Sequence, residues 1–353
     1  MLAHCMPAWL GPSETAGPVQ SNVRDRPLRC PATIGPGRSN SANPPDALKW
    51  LEGIGDPVNG LLVIDKPAGL TSHDVVAKLR RITGEKSIGH LGTLDPLATG
   101  VLPMLLGKYT RLAQYFSSAE KTYIGAIHFG FATDTYDAAG EPTGPDVWPT
   151  LYPTPSLIDI QAAAARFKGE MQQMPPPYSA KKIAGTPAYK LAREGKPVEL
   201  KAASVRIDSF SIDSLDGPEA QFEMTISAGG YVRSVAHEMG TDLGCGAHLS
   251  RLRRTKAGAF SLSQAHTIQD LEALFGNEEG LTAACIHPRS LLLEMPAVTG
   301  DAMSLGRLRN GAQANLPEFS QASLVKVFAN QRDIVGIAKR VAGTLFQPVV
   351  VMN

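Results

Sequence analysis

An α+β fold is the class that this sequence predicts, with a disordered leader before it and a small β module after it. Segments with strand and helix periodicity follow one another without regular βαβ alternation. Residues 1–57 are rich in Pro, Gly, Ser, Asn and Arg and show no periodicity, so ordering them would bury too little apolar surface. From about Met295, short apolar runs alternate with Gly, Asn and Pro. We therefore expect domains at residues 1–57, 58–290 and 291–353.

The composition is that of an ordinary folded protein. Of the 353 residues, 43% are hydrophobic and 19% are charged, and the net charge is +1. A charge this small does not identify a nucleic-acid binder, although it can hide local basic patches. No run of about 18 apolar residues indicates a membrane span. The four cysteines form no C-x-x-C pair, and Cys245 with His248 lacks further ligands, so we expect a reducing cytoplasm and no metal site.

The first predicted elements begin near Val58. The leader before it lacks the apolar core of a signal peptide, and an over-extended gene start is an open alternative. GLLVIDKPAG predicts a strand closed by a Lys-Pro turn, and helical spacing of apolar residues predicts a helix capped by Ser72 and ended by Gly84. GKYTRLAQYF predicts another helix. KTYIGAIHF alternates as a strand does, and TDTYDAAG, rich in Asp, predicts a hairpin turn.

The second half continues this mixture of elements. Helices are predicted near residues 156–168 and 267–274, and strands at 203–212 and 221–227. MPPPYSAKKIAGTPAYKLAREG combines a rigid Pro loop with three lysines, and its part at 187–194 looks helical. GGYVRSVAHEMGTDLGCGAH predicts a helix between glycine turns, followed by a basic strand in LSRLRRTKAGAFSL. LVKVFANQRDIVGIAKRVAG alternates like a hairpin, and TLFQPVVVMN like a last strand.

The loop IGHLGTLDPLATGVLP, residues 88–103, shows no helix or strand pattern and carries the lone acid Asp95. An Asp-Pro pair by itself most often forms a turn. Three features indicate a functional carboxylate here. His90 lies five residues upstream, the glycines let the backbone approach a ligand, and the leucines anchor the loop as a rigid platform.

This loop resembles the catalytic loop of the TruB family of pseudouridine synthases. LLVIDKPAGLTSHDVV, KTYIGAIHFGFATDTYDAAG, MPPPYSAKKIAGTPAYKLAREG and GGYVRSVAHEMGTDLGCGAHLSRLRRTKAGAF resemble the family's other motifs, in the family's order. Together they cover residues 58–262. The loop departs from the commonest spelling at Leu91 and Thr93, where small residues are frequent. The leader matches nothing in the family, and the C-terminal tail is similar to the family's small PUA domain.

The resemblance implies both fold and reaction. It implies a pseudouridine synthase core with a central mixed, mainly antiparallel sheet and flanking helices, and then a PUA-like RNA-binding domain. The reaction would isomerise a uridine in the T-loop of tRNA, position 55, to pseudouridine. The bond from the sugar to N1 breaks, the base turns, and C5 joins the same carbon. No cofactor is implied; the partner would be the tRNA T-stem and loop, and we expect a monomer without an obligate protein partner.

The resemblance also assigns roles to residues. Asp95 would attack the sugar carbon or remove the 2′ proton, and the sequence leaves both routes open. Arg233 would pair with Asp95 and keep it ionised, while Tyr123 would stack on the target base and relay a proton. The base would be flipped out of the tRNA loop, with His90 steadying the space left behind. Further residues expected to support the site or contact substrate are Lys66, Tyr231, Tyr178, Lys181, Gly92 and Thr93.

Basic residues bracket these motifs and predict a groove for phosphates. Two rival functions stay open: a related enzyme that acts on ribosomal RNA inside a guide-RNA particle, and an RNA-binding or RNA-folding protein whose catalysis is dispensable. Asp134 and Asp137 are either turn residues or base contacts. The three basic clusters are Lys78, Arg80, Arg81, Lys86, Lys108, Arg111 and Lys121; Lys181, Lys182 and Lys190; and Arg251, Arg253, Arg254 and Lys256.

Overall fold

The computed structural model describes residues 58–179, 182–183, 186–187, 201–274 and 277–352. The leader predicted at residues 1–57, Lys181, and all of the helix predicted at 187–194 except Pro187 lie outside the described residues. The strands are β1 (Gly60–Lys66), β2 (Ile88–His90), β3 (Thr99–Leu106), β4 (Lys121–Phe129), β5 (Gly169–Gln173), β6 (Lys182–Ile183), β7 (Thr186–Pro187), β8 (Ala203–Asp216), β9 (Glu219–Ile226), β10 (Ala247–Ala257), β11 (Phe260–Ser261), β12 (Ala297–Thr299), β13 (Ala314–Asn315), β14 (Leu324–Phe328), β15 (Ile334–Ala342) and β16 (Leu345–Val351). The helices are α1 (Ser72–Thr83), α2 (Leu157–Arg166), α3 (Val232–Asp242), α4 (Ile268–Ala273), α5 (Glu278–Ala284) and α6 (Ala302–Arg309).

The larger sheet has nine strands, with the central order β1-β3-β10-β4-β9-β8-β5, β2 beside β3 and β11 beside β10. Only β3 and β10 run parallel, and the other neighbours in this sheet are antiparallel. This confirms the predicted α+β class and the mixed, mainly antiparallel sheet. None of the helices in the described ranges is long and apolar enough to cross a membrane.

Strand β1 is buried on both faces, which explains its uninterrupted apolar run. Leu62 and Ile64 point into a cluster shared with helices α1, α2, α3 and α4. Leu61 and Val63 point the other way, into a second cluster that contains residues of β14, β15 and β16. All four side chains are inaccessible to solvent. A strand covered on both sides has no polar face, so its sequence does not alternate.

Helix α1 begins one residue earlier than the sequence indicated. Its N-cap is Thr71, whose hydroxyl accepts from the Asp74 N–H at 3.0 Å, while the Asp74 carboxylate accepts from the Thr71 N–H at 2.8 Å. This reciprocal capping box satisfies two N–H groups at once. Ser72, predicted as the cap, is the first helical residue, and its buried hydroxyl serves another segment. Gly84 ends the helix in the left-handed conformation, as predicted.

Two further segments differ from their predictions. GKYTRLAQYF forms a 3-10 helix from Gly107 to Tyr115. The loop 88–103 is less irregular than its composition suggested, because its ends belong to β2 and β3. Pro103 lies inside β3. It has no N–H to donate, and its carbonyl accepts from the Leu91 N–H at 2.9 Å. The remaining predicted strands and helices in the described ranges are confirmed, with shifts of a few residues at their ends.

The C-terminal module is a five-stranded sheet in the order β12-β14-β15-β16-β13, accompanied by α6. The predicted hairpin is β14 and β15, and the predicted last strand is β16. The ammonium of buried Lys326 donates to the carbonyls of Arg289, at 3.0 Å, and Leu291, at 2.5 Å. These bonds tie the chain near residue 290 to the module. The domain boundary predicted there stays a prediction, because both sheets contribute to one apolar cluster.

Gly240 lets α3 approach the start of β10. A methyl group on this residue would lie 2.1 Å from the backbone nitrogen of Ala247 and 2.4 Å from the carbonyl carbon of Gly246. We expect Gly240→Ala to destabilise the protein by about 2–3 kcal/mol, because backbone atoms must shift. Gly306→Ala is the matched control in α6, where a methyl group meets nothing within 4 Å. It should stabilise by roughly 0.5–1 kcal/mol. Urea unfolding measures both, and equal midpoints would contradict the close approach.

Candidate active site

A pocket of about 220 Å³ opens where four segments of the larger sheet meet. Its walls come from the loop that carries Asp95, the start of β4, the glycine turn before α3, and the end of β10. Sites for drug-sized ligands usually measure about 300–1,000 Å³, so this pocket suits a ligand smaller than those. Gly92 and Thr93, both predicted to contact substrate, line the pocket.

The side chain of Arg233 joins the segments around this pocket. Its Nε lies 2.9 Å from Oδ2 of Asp95, forming the ion pair that the sequence predicted. Its Nη1 donates to the carbonyl of Thr135 at 3.0 Å and lies 3.5 Å from Oδ2 of Asp137. Its Nη2 donates to the carbonyl of Tyr178 at 3.1 Å. The Arg233 side chain is only 5% exposed, so these groups hold the guanidinium in one orientation.

Asp137 belongs to the turn and also supports Arg233. Its Oδ1 accepts from the hydroxyl of Thr135 at 2.7 Å and from the N–H of Ala139 at 3.0 Å. Asp134 likewise accepts from the N–H of Glu141 at 2.9 Å. Both carboxylates therefore bond within the hairpin turn. Of the two alternatives for these residues, turn formation or base contact, this geometry favours turn formation.

The surroundings of Asp95 make its carboxylate easier to protonate than that of an ordinary aspartate. Burial raises the pKa of Asp95, the Arg233 guanidinium opposes that rise, and the nearby negative charge of Asp137 adds to it. Because 37% of its side chain is still exposed, toward the pocket, Asp95 can meet a ligand. A carboxylate held against a fixed guanidinium beside an open pocket is suited to attack carbon or to accept a proton.

The backbone of the Asp95 loop is fixed by its neighbours. The hydroxyl of buried Ser72 accepts from the Leu94 N–H at 2.8 Å and donates to the Leu94 carbonyl at 3.0 Å. The Gly69 N–H donates to the Pro96 carbonyl at 2.8 Å. Side chains of residues 94, 98 and 102 are buried in the core beneath the loop. The loop is thus a rigid platform, as its leucines predicted.

Comparison with known proteins agrees with this geometry. Residues 80–232 match the family model described as TruB family pseudouridylate synthase (N terminal domain), and residues 233–294 match the tRNA pseudouridylate synthase B C-terminal domain. The tRNA pseudouridine synthase B of Solibacter usitatus (strain Ellin6076) is 42% identical over 84% of this chain and 100% of its own length. The chain belongs to the TruB family of pseudouridylate synthases. It is therefore an isomerase, and the resemblance found in the sequence is confirmed.

Other relatives of this TruB-family chain include the tRNA pseudouridine synthase B of Opitutus terrae (strain DSM 11246 / JCM 15787 / PB90-1). That protein is 47% identical over 62% of this chain and 88% of its own length. Among solved structures, the archaeal box H/ACA sRNP Nop10–Cbf5 complex matches with a TM-score of 0.59 and 25% identity, over 84% of this chain and 86% of that chain. A Cbf5–Nop10–Gar1 complex matches with a TM-score of 0.58 and 26% identity, over 81% and 79%. The similarity confirms the fold.

The two pocket tyrosines come from different elements. Tyr123, on β4, is buried and lines the pocket, which suits the stacking role that the TruB resemblance implies. Tyr231 lines it from the residue before α3, and burial raises the pKa of its phenol. The backbone of Tyr231 is held by the buried side chain of Gln173, whose Oε1 accepts from its N–H at 2.8 Å and whose Nε2 donates to its carbonyl at 2.9 Å. Sequence reasoning missed Gln173, because nothing around it signals a contact 58 residues away.

Two buried cations lie beside the Asp95 loop, and the Lys66 Nζ reaches the Pro96 carbonyl of that loop at 3.5 Å. Lys66 is wholly inaccessible to solvent, and its Nζ donates to the carbonyls of Pro67 at 2.9 Å and Leu70 at 2.6 Å. Burial lowers the pKa of Lys66 to about 8. Arg254, only 1% exposed, donates from Nε to the carbonyl of Val101 at 2.7 Å and from Nη2 to that of Gly92 at 3.0 Å. Lys66 therefore lies beneath the turn before α1, and its predicted role stays a prediction.

Three of the four basic residues predicted to cluster on β10 are buried or paired with a carboxylate, and the fourth, Lys256, is exposed. Arg254 is buried, Arg251 lies 2.5 Å from Glu219, and Arg253 lies 2.7 Å from Asp65. Sequence reasoning counted Arg254 only as one charge among four. The alternation of side chains along the strand could have indicated that Arg254 faces the pocket, because residues 252 and 254 share the face that lines it.

The remaining predicted site residues are placed as follows. His90 lies on β2 outside the pocket lining, with its Nδ1 buried and without a hydrogen-bond partner among the described residues. Burial lowers the pKa of His90. Tyr178 contributes its carbonyl to Arg233, and Lys181 lies outside the described residues. Among the residues described, no group of three or more His, Cys, Asp or Glu side chains is arranged to hold a metal ion.

Ser72→Ala tests whether α1 positions the Asp95 loop. Removing the hydroxyl leaves the Leu94 N–H buried without its partner, which costs about 1–3 kcal/mol. We expect kcat to fall about tenfold, because the carboxylate is no longer held in register. Ser117→Ala is the matched control, since its exposed hydroxyl bonds only the Gln114 carbonyl among the described residues. Unfolding and single-turnover assays measure both effects, and a normal kcat for Ser72→Ala would contradict the role.

Proposed function

We propose that this protein isomerises uridine 55 in the T-loop of tRNA to pseudouridine, with Asp95 as the reacting carboxylate. The ion pair between Asp95 and Arg233 at an open pocket carries the proposal. Two relatives, 42% and 47% identical to this chain, are named tRNA pseudouridine synthase B, which supports tRNA as the substrate. The proposed partner is the tRNA T-stem and loop, met by a monomer in the cytoplasm where tRNA is modified.

The reaction rearranges bonds without oxidation or group transfer. The bond between the sugar C1′ and N1 breaks, the base rotates, and C1′ joins C5; C5 loses its proton and N1 carries one in the product. Two routes for Asp95 balance this change. It attacks C1′ to form a covalent intermediate, or it removes the 2′ proton to give a glycal. Both routes need an ionised carboxylate, and the Arg233 guanidinium at 2.9 Å favours that form.

Base flipping is part of the proposal, and the size of the pocket supports it. A site of about 220 Å³ is too small for a folded tRNA loop. In the proposal the target uridine leaves its stack and enters the pocket, at a cost of a few kcal/mol. Tyr123 offers a buried ring on which an extruded base would stack. In this proposal His90, which lies on β2 outside the pocket lining, steadies the space that the flipped base leaves behind.

The tRNA-binding surface in this proposal lies beside the Asp95 loop, where several basic side chains are exposed. On β10, Arg251 and Arg253 are paired with carboxylates, so we assign the outer phosphate contacts to the cluster before and after the loop. The exposed cations there are Arg80, Arg81, Lys86, Lys108 and Arg111.

The deciding experiment incubates the purified protein with an unmodified tRNA transcript and maps pseudouridine by chemical probing. We expect product at the T-loop uridine alone. Product in a ribosomal RNA fragment but none in tRNA would favour the guide-RNA type of enzyme. No product under any condition, with tRNA still bound, would favour an RNA-binding protein without catalysis.

Asp95→Asn separates chemistry from binding. An amide neither attacks C1′ nor accepts the 2′ proton effectively, so we expect no detectable turnover. Binding of tRNA should stay within about threefold of wild type, because phosphate contacts supply most of the affinity. Affinity should fall with rising salt in both proteins. Normal turnover in Asp95→Asn would remove the carboxylate from the mechanism, and filter binding across a salt series provides the second measurement.

The raised pKa of Asp95 predicts an acid limb in the pH profile. Because the protonated acid is inactive in both routes, kcat/KM should fall as the pH is lowered, with a midpoint above the ordinary aspartate value of about 3.9. Asp137→Asn removes a neighbouring negative charge, so it should move this limb to lower pH. Single-turnover rates between pH 4 and 8 measure it. A limb that stays in place in Asp137→Asn would show that another group titrates.

A further inference from the structure

Two cations on the pocket wall converge on one point above Gly92. A methyl group built on Gly92 would lie 3.5 Å from Nη1 of Arg254 and 3.6 Å from Cε of Lys121. Gly92 has a φ of +112°, which L side chains rarely adopt, so the backbone itself keeps this space open. Both cations line the same pocket as Asp95.

The charges of this pair are not neutralised by the described residues. Arg254 bonds through Nε and Nη2 to carbonyls, which are neutral, and the Lys121 ammonium donates to the Ala119 carbonyl. Neither side chain forms an ion pair with a carboxylate within the described ranges. By contrast, the other pocket cation, Arg233, is paired with Asp95. The part of the pocket wall beside Gly92 therefore carries excess positive charge.

This arrangement of two like charges is electrostatically unfavourable in the free protein. Burial lowers the pKa of the Lys121 ammonium, and the Arg254 guanidinium lowers it further. A buried cation without a counter-charge is unfavourable, and binding an anion removes that penalty. A planar guanidinium beside an ammonium suits the oxygens of a phosphate group in particular.

We propose that Arg254 and Lys121 form a seat for the phosphodiester group that flanks the target nucleotide. This inference rests on the proposed function, because a nucleotide with its sugar at Asp95 brings a phosphate into the same small pocket. Arg254 has a second task, since its Nε and Nη2 hold the loop through Val101 and Gly92. The seat would set the distance between the sugar and Asp95 through an interaction away from the reacting atoms.

Lys121→Gln combined with chemically altered RNA tests the seat. One tRNA carries a single uncharged methylphosphonate linkage on the 5′ side of the target uridine, and a second carries it on the 3′ side. We expect one of these linkages to raise KM for the wild-type protein about tenfold. Lys121→Gln should raise KM similarly with natural tRNA and show no further loss with that same linkage, because both changes delete one interaction.

Lys168→Gln is the matched control, since Lys168 is an exposed lysine after α2, away from the pocket lining. It should respond to the neutral linkage as the wild-type protein does. If the neutral linkage raised KM of Lys121→Gln further at both positions, so that the two losses multiplied, the proposed phosphate seat would be wrong. The wild-type measurements with altered RNA do not depend on the folding of any variant, and no effect of either linkage would also overturn it.

Inorganic phosphate distinguishes the source of the anion. If the seat takes a phosphodiester of RNA, millimolar phosphate should inhibit wild-type turnover competitively and Lys121→Gln less. Inhibition by phosphate together with indifference to both neutral linkages would assign the seat to free phosphate and overturn the RNA proposal. Absence of pseudouridine from natural tRNA with wild-type protein would instead refute the proposed function, so the two failures are distinguishable.

Discussion

The guanidinium of Arg233 is the constraint on which the site depends. It fixes Asp95 by charge, and it collects a carboxylate and a carbonyl from the β4 hairpin turn and another carbonyl from the Pro-rich loop. Breaking a buried pair of this kind by removing one partner typically costs about 3–5 kcal/mol. The same contacts that orient the reacting carboxylate therefore hold three chain segments together around α3, and catalysis and local stability cannot be changed independently there.

Buried cations serve a common purpose elsewhere in the molecule. Lys66, Arg254 and Lys326 are each almost inaccessible to solvent, and each donates to at least one backbone carbonyl in an irregular segment: Leu70, Gly92 and Leu291 respectively. Irregular backbone exposes carbonyls that no strand or helix satisfies, and a charged donor makes the stronger hydrogen bond. Beside Asp95, Lys66 reaches the Pro96 carbonyl at 3.5 Å and Arg254 the Gly92 carbonyl at 3.0 Å, so both constrain the backbone of the loop.

Much of the fold was readable from the sequence, because periodicity and caps are local. The strand at β4, the end of α1 at Gly84 and the β14–β15 hairpin follow from neighbouring residues. In the site, the motifs indicated Asp95, Arg233 and Tyr123, which the structure brings to one pocket. The contacts of Gln173 and of the Ser72 hydroxyl were not predictable. Ser72 was expected to cap the helix, and its hydroxyl instead bonds the backbone of the Asp95 loop. Such side chains bond to distant backbone, and no pattern of residue types records that.

The single parallel pair in the large sheet has a consequence for synthesis. Arg253 on β10 bonds Thr99 on β3 at a sequence separation of 154 residues, and so long a separation makes the pairing slow to close. Since Arg254 of β10 also holds Gly92, the loop with the reacting carboxylate gains its last support only after that strand is made. We therefore expect nascent protein to stay inactive until its second half has folded back onto the first.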